Sequence, residues 1–327
     1  MIILGIDTSN YTTSLSLVSE DGFVHVRRIL DVKKGECGLR QSDALFLHTG
    51  NLPYLFPELF AAYREKYGAQ AKVDAVAYSA YPRDVEGSYM PCFLAGQSAA
   101  SAVANTVGVP LLKFSHQAGH IMAALKTCGA ENEIGSEFLA LHLSGGTTEL
   151  VRAKTDDEIG FSTEIICDTA DISAGKLIDR AGVMLGLKFP CGGELEKLAA
   201  AAGNADGIKP IKITVRDGEC NMSGAENRIR ELAMRGEDAG KIAYFTLDFV
   251  AKNVISLVKS AREKYPALPI IFAGGVMRNK IIRAKICEKI DNIYFASEEL
   301  SSDNAVGAGY LGLEKMKKGV VVRNDRL

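Results

Sequence analysis

The stretch Phe138-Leu139-Ala140-Leu141-His142-Leu143-Ser144-Gly145-Gly146-Thr147-Thr148-Glu149-Leu150-Val151 decides the fold. Its first six residues form a mostly apolar run of strand length, and Ser144 to Thr148 is a glycine-rich turn. Glu149 to Arg152 returns, and Asp156-Asp157 turns again. The chain begins the same way. Ile2 to Ile6 is a continuous apolar run, and Asp7-Thr8-Ser9-Asn10 has turn chemistry. Thr13-Ser14-Leu15-Ser16-Leu17-Val18 then alternates polar and apolar with period two. Asp21-Gly22 makes a further turn before Phe23 to Arg28 alternates again. One hairpin signature thus occurs twice, about half a chain apart. Either two hairpins look alike by chance, or the chain is an internal duplication whose two lobes each present a hairpin tip to a shared cleft.

Helical patterns lie between and after the hairpins. Leu52 to Tyr67, Leu94 to Thr106, Ser173 to Leu187, Ile242 to Lys264 and Asn279 to Lys289 carry helical apolar spacing. Asp74 to Ser79, Leu268 to Ala273 and Asn292 to Ala296 read as strands. Strands alternating with helices mean an α/β chain. Its 327 residues, 47% hydrophobic and 24% charged, supply a large core and exclude a disordered, collagenous or disulfide-scaffold class. The balance of 38 basic against 40 acidic residues gives −2, so any nucleic-acid contact must be local or shared with a partner. No apolar run approaches a membrane span. The seven cysteines, none in C-x-x-C spacing, read as reduced thiols of a cytoplasmic protein. The tail from Lys315 to Arg326 is basic and reads as solvated surface.

Three features carry chemistry. In His116-Gln117-Ala118-Gly119-His120 the two histidines stand at i and i+4, on one helix face, where both rings can reach one metal ion. Position 117 is Gln rather than Glu, which argues against a metallopeptidase. Asp303, in Ser301-Ser302-Asp303-Asn304-Ala305, is a candidate third ligand, because it follows a strand and opens a helix. Ser144 to Thr148 and Ala273-Gly274-Gly275-Val276 can offer backbone N–H groups to phosphate oxygens. With Asp7-Thr8-Ser9 they point to a nucleotide cleft. Asp179 could accept hydrogen bonds from ligand hydroxyls, although a plain helix with solvated charges explains Asp171 to Arg180 equally well.

In order along the chain, Gly5-Ile6-Asp7-Thr8-Ser9, His48 to Pro53, His116 to His120, Ser144-Gly145-Gly146-Thr147, Gly175 with Asp179, Pro190 with Gly192, Gly274-Gly275-Val276 with Asn279, and Asp303-Asn304-Ala305 resemble the TsaD family. This is the threonylcarbamoyl-transfer family of tRNA modification, formerly grouped with M22 glycoproteases. The resemblance implies a two-lobed actin-like, hexokinase-like ATPase (ASKHA) fold with duplicated ribonuclease-H-like subdomains. It implies lobes of residues 1–133 with 297–327 and of residues 134–296. It further implies one iron or zinc ion on His116, His120 and Asp303, and ATP, AMP or threonylcarbamoyl-adenylate bound by His142, Leu143, Ser144, Gly145, Gly146, Thr147, Asp179, Gly192, Glu196, Gly274, Gly275 and Asn279. Glu196 stands where many members have Asp. The implied reaction moves a threonylcarbamoyl group from its adenylate to adenosine 37 of tRNAs that read codons starting with A. The implied partners are a paralogous dimerising subunit and a small ATPase.

The sequence also departs from the family. An Asp-Glu pair in the first hairpin is replaced by Tyr11-Thr12, and Gly-Glu-Ala-Phe-Asp becomes Gly175-Lys176-Leu177-Ile178-Asp179. A Lys in the family's Phe-Ser-Gly-Leu-Lys-Thr becomes Glu226, and a Gly-Pro-Gly turn becomes Tyr81-Pro82-Arg83-Asp84. A charge reversal is not an equivalent exchange at a phosphate or tRNA contact. The alternative expectation is therefore a divergent paralogue that binds metal and nucleotide but has lost the transfer.

Overall fold

Apolar runs bounded by turn residues build the first sheet. In the computed structural model, which describes residues 1–9, 11–31, 39–301 and 303–319, the chain opens with β1 (Ile3–Asp7), β2 (Thr12–Ser19) and β3 (Gly22–Ile29). Asn10, Cys37, Ser302 and residues 320–326 of the basic tail lie outside the described residues. Next come α1 (Gln41–Tyr67), β4 (Ala75–Tyr81), α2 (Phe93–Val107), β5 (Leu111–Ser115) and α3 (His116–Thr127). The sheet order is β3-β2-β1-β4-β5, with β1 antiparallel to β2 and parallel to β4, and β4 parallel to β5. α1 begins at Gln41 rather than Leu52 and runs through Pro53 and Pro57. Its buried stripe, Ala44, His48, Leu52, Leu55 and Leu59, repeats at helical spacing and carries the helix past both prolines.

The second set of elements is α4 (Glu131–Ile134), β6 (Glu137–Leu143), β7 (Thr148–Asp156), β8 (Gly160–Thr169), α5 (Ala174–Met184), α6 (Gly192–Ala202), β9 (Val215–Arg216), β10 (Glu219–Cys220), α7 (Ser223–Met234), α8 (Ala239–Lys264), β11 (Ile270–Ala273), a 3-10 turn at Gly275–Arg278, α9 (Lys280–Cys287) and β12 (Ile293–Phe295). Their sheet runs β12-β11-β6-β7-β8-β10-β9. Read from β8, it is the order of the first sheet again: a hairpin unit, then two strands parallel to its first member. The repeated hairpin signature is therefore a duplicated subdomain, and β10 and β9 are an addition at the edge. α8 buries Phe245, Phe249, Val250, Val254, Leu257 and Val258 in this half's core.

The last helix, α10 (Val306–Lys317), returns to the first half. By chain contacts, one compact unit comprises Met1–Gly129, Lys154–Ser162 and Asp303 onward; the other comprises Ala130–Ala153 and Thr163–Ser302. α10 lies on β1 and β2 through glycines. A Cβ on Gly5 would overlap the Ala305 carbonyl and Ser16 Oγ, and one on Gly309 would overlap Val18. The polar positions of β2 therefore do not face water. Ser14 Oγ accepts from the Ala305 N–H at 3.0 Å, and Ser16 Oγ donates to the Ala305 carbonyl at 3.0 Å. Both serines are fully buried, and pairing removes the penalty of burying their hydroxyls. The start of the basic tail lies at the surface, as its charge suggests, and its lysines make surface pairs. Lys315 Nζ donates to the Glu158 carbonyl at 2.7 Å, and Lys317 and Lys318 pair with Glu20 and Asp157.

Candidate functional site

Ser115 ends β5 and caps α3, its Oγ accepting from the Ala118 N–H at 3.2 Å. Asp84 braces this cap: its Oδ2 accepts from Ser115 Oγ at 2.5 Å and its Oδ1 from Tyr81 Oη at 2.8 Å. The Tyr81-Pro82-Arg83-Asp84 departure thus fixes the start of the helix that carries both histidines. Burial, followed by the Asp84 contact, pushes the Tyr81 phenol far above its ordinary range.

His116 is the first residue of α3, and His120 sits one turn on. Asp303 comes from the segment before α10. Asn304 Oδ1 accepts from the Val306 and Gly307 N–H groups, and Ser14 holds the Ala305 N–H, so the two residues that follow Asp303 are anchored. A Cβ on Gly307 would overlap the Gly119 carbonyl, so α10 meets α3 backbone to backbone between the two histidines. Three donor atoms converge as a result. His116 Nε2 and His120 Nε2 are 2.9 Å apart, and Asp303 Oδ1 lies 3.1 Å from the second and 3.4 Å from the first. Donors about 2.0–2.2 Å from one tetrahedral ion stand about 3.3 Å apart, so the spacing fits a single ion. Two imidazoles and one carboxylate suit zinc or ferrous iron and leave coordination positions open.

Behind His116, Nδ1 lies 3.2 Å from Asp7 Oδ2 at the end of β1. Burial disfavours charge on His116, but the Asp7 and Asp303 carboxylates outweigh it and push the imidazole up to about 10. Burial, then the neighbouring His116, holds His120 below the ordinary histidine range. Burial also opposes ionisation of Asp303, yet hydrogen bonds with the two histidines hold its carboxyl well below the usual carboxylate range. Without metal, the trio therefore holds a proton on His116 between two carboxylates.

Tyr11 and Thr12 supply no carboxylate beside this trio. The Tyr11 carbonyl accepts from the Leu30 N–H, and buried Thr12 donates its N–H to the Ser9 carbonyl. Thr13 Oγ1 contacts His48 Nδ1 at 2.9 Å and accepts from Asn51 Nδ2 at 3.0 Å, which ties the His48 segment to the hairpin.

The residues assigned to nucleotide lie in the other unit, around the C-terminal ends of the parallel strands β6 and β11, where α/β sheets place ligands. Gly274 has φ +97°, and a Cβ there would overlap the Leu143 carbonyl and His142, so the Gly274-Gly275 turn presses on the end of β6. Ser144 Oγ braces its own turn by accepting from the Gly146 and Thr147 N–H groups at 3.3 and 3.1 Å. Those two amides are thus engaged within the turn. Gly145, Gly146 and Gly275 are exposed, with open space where a side chain would stand. Ser173 Oγ donates to the Gly145 carbonyl at 2.7 Å, and side-chain-free Gly175 lets α5 close on Ser144. Asp179 Oδ1 accepts from the Cys191 N–H at 2.8 Å just before Gly192, and burial raises its pKa. Glu196 Oε1 accepts from the Lys280 N–H at 2.6 Å and Asn279 Oδ1 from the Ile282 N–H at 3.0 Å, so both cap α9. Glu226 is not a solvated substitute for a lysine: it pairs with Arg180 at 2.6 Å and Arg230 at 3.1 Å. Lys176 is exposed.

A family model for TsaD, tRNA N6-adenosine threonylcarbamoyltransferase, matches residues 47–310. The chain belongs to the TsaD family. Solved structures agree with the fold. Full-length HypF, in a phosphate- and nucleotide-bound form, is similar over 98% of this TsaD-family chain with a TM-score of 0.60 at 14% identity. The chain spans about half of that HypF, 47% of its length. The activator of the 2-hydroxyisocaproyl-CoA dehydratase from Clostridium difficile, with bound ADPNP, is similar over 100% of both chains at TM-score 0.53 and 14% identity. Component A of the Acidaminococcus fermentans (R)-2-hydroxyglutaryl-CoA dehydratase is similar over 97% of this chain and 99% of its own at TM-score 0.55 and 14% identity. These likenesses establish the actin-like ATPase fold for the TsaD-family chain. No helix among the described residues is long and apolar enough to cross a membrane.

Proposed function

We propose that this chain is a metal-dependent acyltransferase of TsaD type, moving a threonylcarbamoyl group from its adenylate to adenosine 37 of A-decoding tRNA. The convergence of His116 Nε2, His120 Nε2 and Asp303 Oδ1 in a chain of this family carries the reading. In the reaction, the adenosine amine attacks the carbamoyl carbon. A C–N bond forms, the bond from the carbamoyl carbon to the phosphate oxygen breaks, AMP leaves with the electron pair, and the amine gives up one proton to water. A zinc or iron ion bound to the trio would supply Lewis-acid stabilisation of a substrate oxygen. The chain's own residues bind and orient. Exposed Gly145 and Gly275 let phosphate oxygens approach the backbone closely. Asp179 Oδ2, which has no hydrogen bond among the described residues, accepts from a ribose hydroxyl. Alignment of amine and carbonyl requires no covalent protein nucleophile. The paralogous dimerising subunit and the small ATPase are the expected partners.

A second reading is supported by Glu226. Its carboxylate, held by Arg180 and Arg230, stands where the resembled family pattern has a lysine, and this reversal of side-chain charge favours a paralogue that keeps metal and nucleotide but not the transfer. The test is transfer from threonylcarbamoyl-adenylate to an A-decoding tRNA, with and without the partners, using protein of known metal content. Modified adenosine supports the first reading. Intact metal and nucleotide binding without product supports the second.

A further inference from the structure

Asp7 is fully buried at the C-terminal end of β1, and a buried carboxylate is costly unless hydrogen-bond donors surround it. Three donors do. The Ser9 N–H reaches Oδ1 at 3.2 Å, Ser9 Oγ donates to Oδ2 at 2.9 Å, and His116 Nδ1 lies 3.2 Å from the same Oδ2. The position of Asp7 behind the ring matters. An ion held by His116 Nε2, His120 Nε2 and Asp303 Oδ1 is on the opposite edge of the imidazole, so Asp7 is not a fourth ligand. A carboxylate on Nδ1 keeps the proton on that nitrogen, leaves the Nε2 lone pair for the metal and fixes the ring plane.

We propose that Asp7 is the positioning residue of this centre: it sets the tautomer and orientation of His116 and thereby strengthens metal binding, a role that rests on the metal reading above. Ser9 completes the device by holding Asp7 Oδ2 toward the ring. The first hairpin's Asp7-Thr8-Ser9 motif is then part of the metal centre.

The experiment measures zinc affinity of the full chain by competition with a chromophoric chelator. It compares the unsubstituted chain with Asp7→Asn and Ser9→Ala, with the metal-free fold of each checked by circular dichroism. Asp7→Asn preserves shape and removes the charge, so affinity should fall about 10- to 100-fold, as losses of such outer partners do. Ser9→Ala keeps the charge and should lose less. The cobalt-substituted forms give a second reading, because a changed His116 orientation shifts the visible absorption bands. Zinc affinity of Asp7→Asn within twofold of the unsubstituted chain, with unshifted cobalt bands, overturns the proposal. Absence of zinc binding by the unsubstituted chain would instead overturn the metal reading itself.

Discussion

Gly307 packs on the backbone carbonyl of Gly119, and this contact sets Asp303 against His116 and His120. A methyl group at 307 has no room, because what it meets is backbone and cannot rotate away. Gly307→Ala should therefore destabilise the protein by about 1–3 kcal/mol, the usual range for overpacking, and weaken zinc binding by displacing Asp303. Gly119→Ala is the control. Its Cβ would stand 3.6 Å from the Ala308 nitrogen, an ordinary contact, so stability should change little. Urea unfolding and chelator competition on both variants check the contrast; equal behaviour would show that the helix contact does not set the ligand.

The serines of β2 make a second prediction. Ser14 is the acceptor for the buried Ala305 N–H, whereas the Ala305 carbonyl held by Ser16 also accepts from the Gly309 N–H. Ser14→Ala strands a buried donor and should cost about 1–3 kcal/mol. Ser16→Ala leaves its partner bonded and should cost less. Reversal of that order in urea unfolding would contradict the roles assigned here.

These serines also show what the sequence could and could not reveal. Period two correctly marks β2 as a strand, but alternation is silent about whether the polar face meets water or a helix nearly a whole chain away. The His116/His120 pair was legible because i, i+4 spacing is local. Asp303 was a candidate only by its place before a helix; the Gly307–Gly119 contact that brings it in is long-range. By sequence Asp7 belongs to turn chemistry that points to a nucleotide cleft, and only the parallel run of β1, β4 and β5 puts its carboxylate behind His116. The two-residue β9 and β10 are too short to show a period, and in the extension of α1 back to Gln41 the buried stripe runs through a polar residue, His48. Ser115 had one, a serine immediately before a helical stretch, which is an N-cap pattern.

Metal-free protein should lose stability as pH rises from about 7 to about 10. Against the effect of burial, the Asp7 and Asp303 carboxylates push His116 from its ordinary 6.5 up to about 10 in the folded chain. Its proton therefore stabilises the fold fully below about pH 6.5, and that contribution disappears as pH climbs through about 10. His120 works in the opposite sense: its depressed value weakens the fold only as pH falls below the unfolded value, so it is silent in this window. Metal replaces the His116 proton, so zinc-loaded protein should lack the decline. Zinc binding near neutral pH should also release a proton, visible as a buffer-dependent heat in calorimetry. Urea unfolding across this range, with chelator and with zinc, checks the slope; a flat profile with chelator would refute it.

The Glu226–Arg180 pair distinguishes a structural exchange from a functional one. Glu226 is largely buried, with Arg180 on one carboxylate oxygen and Arg230 on the other. Glu226→Lys, which restores the residue type of the relatives, puts three cations together and should destabilise the protein by about 1 kcal/mol, because the arginines remain partly in water. Arg180→Glu combined with Glu226→Lys restores opposite charges, so most of the loss should return. A double-mutant cycle in urea measures this coupling. Coupling indistinguishable from zero would mean that the pair is incidental. Strong coupling would mean that Arg180, next to Asp179, is held in place by the very residue that departs from the family. In that case, restoring the lysine alone cannot restore a tRNA or phosphate contact, and only the paired exchange is a fair test of transfer.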